Sequence, residues 1–431
     1  MRLPCPSHLP SLPHADNLIC MDLSKKRRVV IAAGVFANLC QGAAYSFSVF
    51  KGPLKAHLGC SETQVALAFS LAIAFLPVGM LISGRFADRG GPRIVVALGG
   101  LLFGAAMFLA GFSHSVAWLY ATFGVMLSLG NGAVYGAVVA TAVKWYPERR
   151  GMAGGIVVSA LGLGTVAIAP LAQRMIDSPA LGVLGAFKVL GAAFVVITVG
   201  ASLFMTNPPP GYSTAPEKEN QPTAEDLHWR RMLARPRFWL LYVIYTAGAF
   251  SGLMIVSQAS SIAQELTGLR AGAASLVVGV LGLANASGRL SWGTISDRIG
   301  RLPALALMFA ITAAVMFGFS TLAASAPGLV AAILLVGLCY GGYLGTFPSI
   351  CADAFGSRNL TVNYGLLFSA FSLAGVLGPR VGAVLKESTG GYTASFAVAC
   401  GVALFGLLLC LITGIRPDRS GYSPRTQIPR A

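Results

Sequence analysis

"SLVVGVLGLANASGRLSWGTISDRIGR", residues 275–301, carries three signals in one stretch. It opens on an apolar run of the kind that suits lipid. Inside that run it places a charge, Arg289. It closes on Gly293, three residues, Asp297-Arg298, one residue and Gly300. The closing pattern occurs once before, in "GRFADRGGPR" (84–93), 209 positions earlier. The same offset lays "PERRG" (147–151) on "GSRNL" (356–360). The chain therefore reads as one module built twice.

The module is a membrane module. Of 431 residues, 55% are hydrophobic and only 11% charged, less than half the roughly 25% charge of a soluble protein. Apolar runs such as "VVIAAGVFANLCQGAAYSFSVF" (29–50) and "VACGVALFGLLLCLITGI" (398–415) match the ~30 Å hydrocarbon core of a bilayer. The alternating ten-residue segments of a transmembrane β-barrel are absent. Twelve spans are predicted, near 28–50, 62–84, 94–113, 117–143, 151–173, 183–205, 237–262, 272–294, 302–322, 328–350, 363–386 and 391–415. They form an N-terminal bundle (28–205) and a C-terminal bundle (237–415). Between them, "TNPPPGYSTAPEKENQPTAEDLHWRRMLARPR" (206–237) is rich in proline and charge without periodicity, which marks residues 206–236 as a linker. Residues 1–27 are expected to be disordered, with no signal-peptide core, and 416–431 to be a tail.

The formal charge of +16 reports topology, and nucleic acid is not an expected partner. Lys25, Lys26, Arg27 and Arg28 precede the first span, Arg85, Arg89 and Arg93 follow the second, and Arg230, Arg231, Arg235 and Arg237 occupy the linker. The alternate loops hold fewer basic residues. This positive-inside asymmetry places both termini in the cytoplasm. The eight cysteines show no metal-type spacing, and at least half sit in apolar runs where cysteine acts as a small hydrophobe. Glycines in the spans serve helix packing. No Gly-Lys-Ser/Thr follows them, so a phosphate loop is excluded. No clustered nucleophile, base or metal set suggests an enzyme, and no cofactor or metal is expected.

Twelve spans, a long central loop and the doubled Gly-xxx-Asp-Arg-x-Gly loops resemble the major facilitator superfamily. The resemblance implies an all-α membrane fold of two pseudo-symmetric six-helix bundles, rocking about a central site. Within that superfamily, "NPPPGY" (207–212), "GRLSWGTISDRIGR" (288–301), "YGGYLGTFPSICADAFG" (340–356) and "NYGLLFSA" (363–370) are similar to the oxalate:formate antiporter family, which also holds monocarboxylate carriers. The implied localisation is a cell membrane, with the bacterial inner membrane expected, and the implied state is a monomer.

Arg289 is the residue on which function turns. It lies eight residues before Asp297, about 12 Å inside its helix end, where insertion costs about 2.5–3.5 kcal/mol. It shares a helical face with Gly282, Asn285 and Trp292, so a surface turned towards protein or water is expected. A guanidinium offers two parallel donors that match a carboxylate. Glu62, Asp88, Glu148, Asp177, Glu265, Asp297, Asp353 and Glu387 all map to loops or span ends, which leaves the counter-ion to a substrate. The resemblance implies the same role for Arg289. Oxalate carriers of that family pair this arginine with a lysine in span eleven, where this chain has Phe371. One cation fewer favours a monocarboxylate such as lactate, pyruvate or formate. Arg380, nine residues further, reads as a pore-mouth residue.

The resemblance also places Tyr45 and Tyr135 on the central cavity, with Tyr340 and Tyr343 as near equivalents and Asn285 beside Arg289. Asp88, Arg89, Asp297 and Arg298 are expected to brace the cytoplasmic gate, since an Asp favours a helix N-terminus. The five histidines lie in tails and loops, so a buried proton relay is not expected. Exchange against a counter-anion, or a proton travelling with the substrate, both fit. Rival readings are an oxalate:formate-type exchanger, a drug carrier, which would want a deep acidic residue, and a transceptor, which would want a large extension.

Overall fold

The computed structural model describes residues 13–209, 212, 226–268 and 271–415. Helix α1 (Pro13–Gln41) tightens into a 3-10 turn (Gly42–Ser46) and continues as α2 (Phe47–Leu58). There follow α3 (Glu62–Gly90), α4 (Pro92–Ala110), a short α5 (Val116–Leu119) leading through a π-helical segment (Tyr120–Met126) into α6 (Leu127–Trp145), then α7 (Arg150–Asp177) and α8 (Gly182–Ser202). The second set is α9 (Trp229–Leu233), α10 (Pro236–Thr267), α11 (Ala271–Ile299), α12 (Arg301–Phe317), α13 (Phe319–Leu322), α14 (Ala326–Phe355), α15 (Leu360–Thr389) and α16 (Thr393–Ile415).

Among the described residues, ten helical runs are long and apolar enough to cross a membrane. The expected eighth and ninth spans are helical but stand outside those ten. Helix α11 carries Asn285, Arg289, Ser291 and Asp297 along its length, and α12 ends after 17 residues at Gly318. The first helix begins at Pro13, ahead of the boundary expected at 28 and within the segment expected to be disordered. Residues 1–12 and 416–431 lie outside the described residues.

The sequence repeat survives as backbone geometry. Gly91 (φ +91°) and Gly300 (φ +93°), 209 positions apart, both turn the chain sharply after the Asp-Arg pair. Only glycine adopts that conformation without strain. Pro170 in α7 and Pro379 in α15 keep the same offset, and neighbouring helices make such breaks tolerable in lipid. Hydroxyl N-caps start α5 and α14, where Ser115 accepts from the Trp118 N–H and Ser325 from the Gly328 N–H, each at 3.2 Å, filling orphan donors of the first turn.

Helix α4 packs on both α6 and α8, α11 packs on α14, and α12 on α16. Two close seams join the earlier helices to the later ones: α7 against α11, and α3 against α15. At the first, Gly151 and Gly293 touch backbone to backbone, and a Cβ on either would collide with the other's carbonyl. Large apolar side chains such as Phe86, Ile94, Val196 and Phe317 cover the outside, an exterior suited to lipid.

The linker's two ends are tied down. The Trp145 indole donates to the Thr206 carbonyl (2.6 Å), and Tyr212 packs edge-on to Trp145. At the other end the Leu227 N–H donates to the Phe355 carbonyl (3.0 Å), while the Leu227 carbonyl accepts from Asn359 and Asn363. Within the segment expected to be a linker, the described residues thus include an anchor at each end and helix α9.

Candidate functional site

Seven side chains from seven elements converge on one small cavity: Tyr45 from the 3-10 turn, Leu76 from α3, Tyr135 from α6, Leu161 from α7, Arg289 from α11, Leu344 from α14 and Phe368 from α15. Its free space is about that of a single water. One cation and two phenol hydroxyls face otherwise apolar walls.

Arg289 is 6% exposed. One of its terminal N–H groups donates to the Val158 carbonyl of α7 at 2.8 Å. Its Nε is buried with no partner. Among the described residues no carboxylate lines the cavity. Tyr45 and Tyr135 both lie within electrostatic reach of the guanidinium. An arginine held by one backbone dipole, with a further donor idle, keeps hydrogen-bonding capacity for an anion.

The other expected residues are not in the cavity lining, although Tyr340 lies within electrostatic reach of Arg289, Tyr45 and Tyr135. Tyr340 is buried one layer away, stacked on Phe371 with ring centroids 6.4 Å apart. Tyr343 packs on Phe309 of α12 at 5.0 Å. Asn285 is buried with its backbone against Gly341 of α14. Gly282, expected on the Arg289 face, is exposed. Helical spacing assigns a face but not which neighbour covers it.

At the ends of α3 and α11, the two repeated aspartates perform matching tasks. Asp88 accepts from the Thr361 and Val362 N–H groups (3.2 and 3.3 Å) and the Thr361 hydroxyl (2.8 Å) at the start of α15, with Lys144 at 3.3 Å. Asp297 accepts from the Gly151 and Met152 N–H groups (2.9 and 2.8 Å) at the start of α7, and from Arg301 at 2.7 Å. Each carboxylate sits on a helix N-terminus, where orphan amides and the helix dipole favour negative charge. Arg301 and Arg150 meet on Asp353, each at 2.8 Å. Arg89 and Arg298, expected as the bracing cations, are exposed and carry no ion pair among the described residues. Lys144, Arg150 and Arg301 fill that place. These contacts close the seams α3–α15 and α7–α11 at the end of the molecule that holds the linker.

The family model of the Major Facilitator Superfamily matches residues 31–379, with a second match over 268–431. The chain belongs to the major facilitator superfamily. It is 31% identical to the oxalate:formate antiporter of Oxalobacter formigenes over 376 residues, covering 86% of this chain and 87% of that one. It is 26% identical to human monocarboxylate transporter 11, covering 88% and 81% respectively. Among solved structures, the proton:xylose symporter XylE superposes with a TM-score of 0.70 at 11% identity, covering 90% of this chain and 96% of that chain. The last similarity speaks for the fold alone.

As a major facilitator transporter, this chain is a multi-pass membrane protein. Sequence reading missed Leu76, Leu161, Leu344 and Phe368, because an apolar wall residue carries the same signal as the many lipid-facing ones. It also passed over Tyr364, whose hydroxyl lies 3.2 Å from that of Tyr135. The quoted "NYGLLFSA" contains it, but spacing within one helix does not reveal a partner 229 residues away.

Proposed function

We propose that this chain is a secondary carrier that moves a small monocarboxylate by alternating access, with two six-helix halves (28–205 and 237–415) rocking about the Arg289 cavity. The twelve-span arrangement has both termini and the linker in the cytoplasm, and the bacterial inner membrane is its setting. The observation that carries the reading is Arg289 itself: a buried guanidinium with an idle donor, in a cavity that supplies no carboxylate. A substrate carboxylate completes it. Tyr45 and Tyr135 donate to the same anion, and Leu76, Leu161, Leu344 and Phe368 enclose a short apolar body once the walls part, since the space among them in this closed state is about that of a single water. Asp88 and Asp297, with Lys144, Arg150 and Arg301, hold the cytoplasmic gate shut.

Phe371 supports one carboxylate over two. It is 1% exposed and sits between Tyr340 and Phe368, leaving Arg289 the single cation. The similarity to an oxalate:formate antiporter favours a second reading, exchange of a small dicarboxylate. With no carboxylate or histidine in the cavity wall, coupling runs through a counter-anion or a proton carried by the substrate.

Thermal stabilisation of the purified protein across formate, acetate, lactate, pyruvate, oxalate and malonate separates the readings, since a ligand of the folded state raises apparent stability. Stabilisation by a monocarboxylate, lost in Arg289→Gln, is the expected result. Stabilisation by oxalate alone supports the second reading. Anion binding that survives Arg289→Gln overturns the site.

A further inference from the structure

Five acids at the linker end are already committed. Asp88 and Asp297 hold helix starts, Asp353 meets Arg150 and Arg301, Glu148 meets Arg27 at 2.7 Å, and Asp226 accepts from the Arg358 N–H at 3.0 Å. Four arginines at the same end have no such partner. Arg85 and Arg89 of α3 and Arg230 and Arg231 of α9 are exposed, and none forms an ion pair among the described residues. Arg85 and Arg89 stand four apart on one helix face, a spacing at which like charges repel.

Two of the four meet across the halves. The Trp229 ring centroid lies 5.8 Å from the Arg85 Cζ and 5.2 Å from the Arg230 Cζ. Arg85 belongs to the first half. Helix α9 is fastened to the second, through the Leu227 carbonyl on Asn359 and Asn363 and through Met232, which is fully buried. The indole attracts both guanidiniums but neutralises neither. Beside Arg85, Val78, Ile82 and Phe86 form an exposed apolar stripe at four-residue spacing along α3. Trp239, at the start of α10, is exposed with its indole N–H on the Leu233 carbonyl (3.0 Å), the kind of amphipathic ring that sits at headgroup level.

We propose that the linker-side groove between α3 and α9 binds an anionic phospholipid, with Arg85 and Arg230 holding its phosphodiester beside Trp229 and its acyl chains along Val78, Ile82 and Phe86. A guanidinium matches phosphate oxygens in pairs, and the cytoplasmic leaflet is rich in anionic headgroups. A zwitterionic headgroup would bring one more cation among the arginines. A headgroup held by both arginines ties α3 to α9 next to the Asp88 clamp, so the lipid favours the state closed on the linker side. The site does not need the substrate to be known; its effect on closure rests on the carrier reading above.

The full chain, freed of lipid in detergent, is titrated with phosphatidylglycerol, with phosphatidylethanolamine of the same chains and with inorganic phosphate, and the melting temperature is read. Phosphatidylglycerol is expected to raise it saturably, and the other two are not. Arg85→Gln and Arg230→Gln alter exposed side chains and are expected to melt as the wild type does without lipid. Each weakens half-saturation about tenfold, the weight of one charged hydrogen bond, while Arg174→Gln at the far end of α7 does not. Equal stabilisation by phosphatidylethanolamine or phosphate, or undiminished phosphatidylglycerol binding in both variants, overturns the site. Closure is read at Cys351 of α14, which is fully buried and within electrostatic reach of Asp88 and Asp353. With the other cysteines replaced by serine and no substrate added, a membrane-impermeant maleimide labels it from the linker side. Adding phosphatidylglycerol to phosphatidylethanolamine vesicles is expected to slow labelling severalfold in the wild type but not in Arg85→Gln, which faces the same surface charge. An unslowed wild type, or a variant slowed as much, overturns the tie between the halves. Arg289→Gln tests the substrate site separately, because no carboxylate substrate enters these measurements.

Discussion

Arg289 has one hydrogen bond to a helix carbonyl and an idle Nε, an arrangement that is tolerable but incomplete. Backbone carbonyls of a helix offer a second lone pair, so Val158 accepts the arginine without losing its own helix bond. On the proposed reading, Phe371 is the residue that limits the site to one cation. It is one layer behind the cavity, stacked 5.0 Å from Phe368. Phe371→Lys is expected to raise the affinity for oxalate or malonate relative to lactate by about tenfold or more, the usual weight of one charged hydrogen bond. Ligand-dependent melting of both proteins checks it, and an unchanged preference would mean that residue 371 does not reach the substrate.

At the scale of elements, the proposed closed state rests on the seams α7–α11 and α3–α15, and the first is the tighter. Gly151 meets the Gly293 carbonyl there, and a Cβ at 151 would also lie 2.7 Å from the Arg301 guanidinium and 2.8 Å from the Asp297 carboxylate. Asp297 holds the start of α7 through two amides. Gly151→Val therefore wedges the seam and pulls α7 off its carboxylate. The expected result is a lowered melting temperature, with a loss of about 1–3 kcal/mol from overpacking, and faster labelling at Cys351. Gly282→Ala, on the same α11 with nothing within 4 Å of its Cβ, is the control and leaves both unchanged or gains the better helix propensity of alanine. Equal effects of the two would show that the seam has no special part in closure.

For the whole molecule, charge asymmetry and apolar exterior act together. Lipid requires helices with their backbone bonds made internally, and the basic loops choose the side. A single cysteine introduced by Ser213→Cys, in a background lacking the native ones, is expected to react with impermeant maleimide only from the cytoplasmic face. Labelling from the outside would invert the topology while leaving the fold intact. The clamps at Asp88 and Asp297 lie at the linker end, so the structure is closed on that side.

The membrane class, the repeat and the burial of one arginine were legible from residue types alone. Lipid thickness, the cost of a charge in hydrocarbon and the conformational needs of Gly91 and Gly300 act locally, and local rules show in a linear pattern. Helix existence was legible on the same ground, although α1 starts earlier than expected and the linker has anchored ends. The partner of each buried group was not legible. That Val158 receives Arg289, that Lys144 and Arg301 meet the aspartates where Arg89 and Arg298 face outward, and that Tyr340 and Tyr343 lie behind the cavity all depend on which helices touch. Where most helix faces are apolar nearly every face can pack, so the choice is made by shape, where glycines let backbones approach, and only the tertiary structure holds that information.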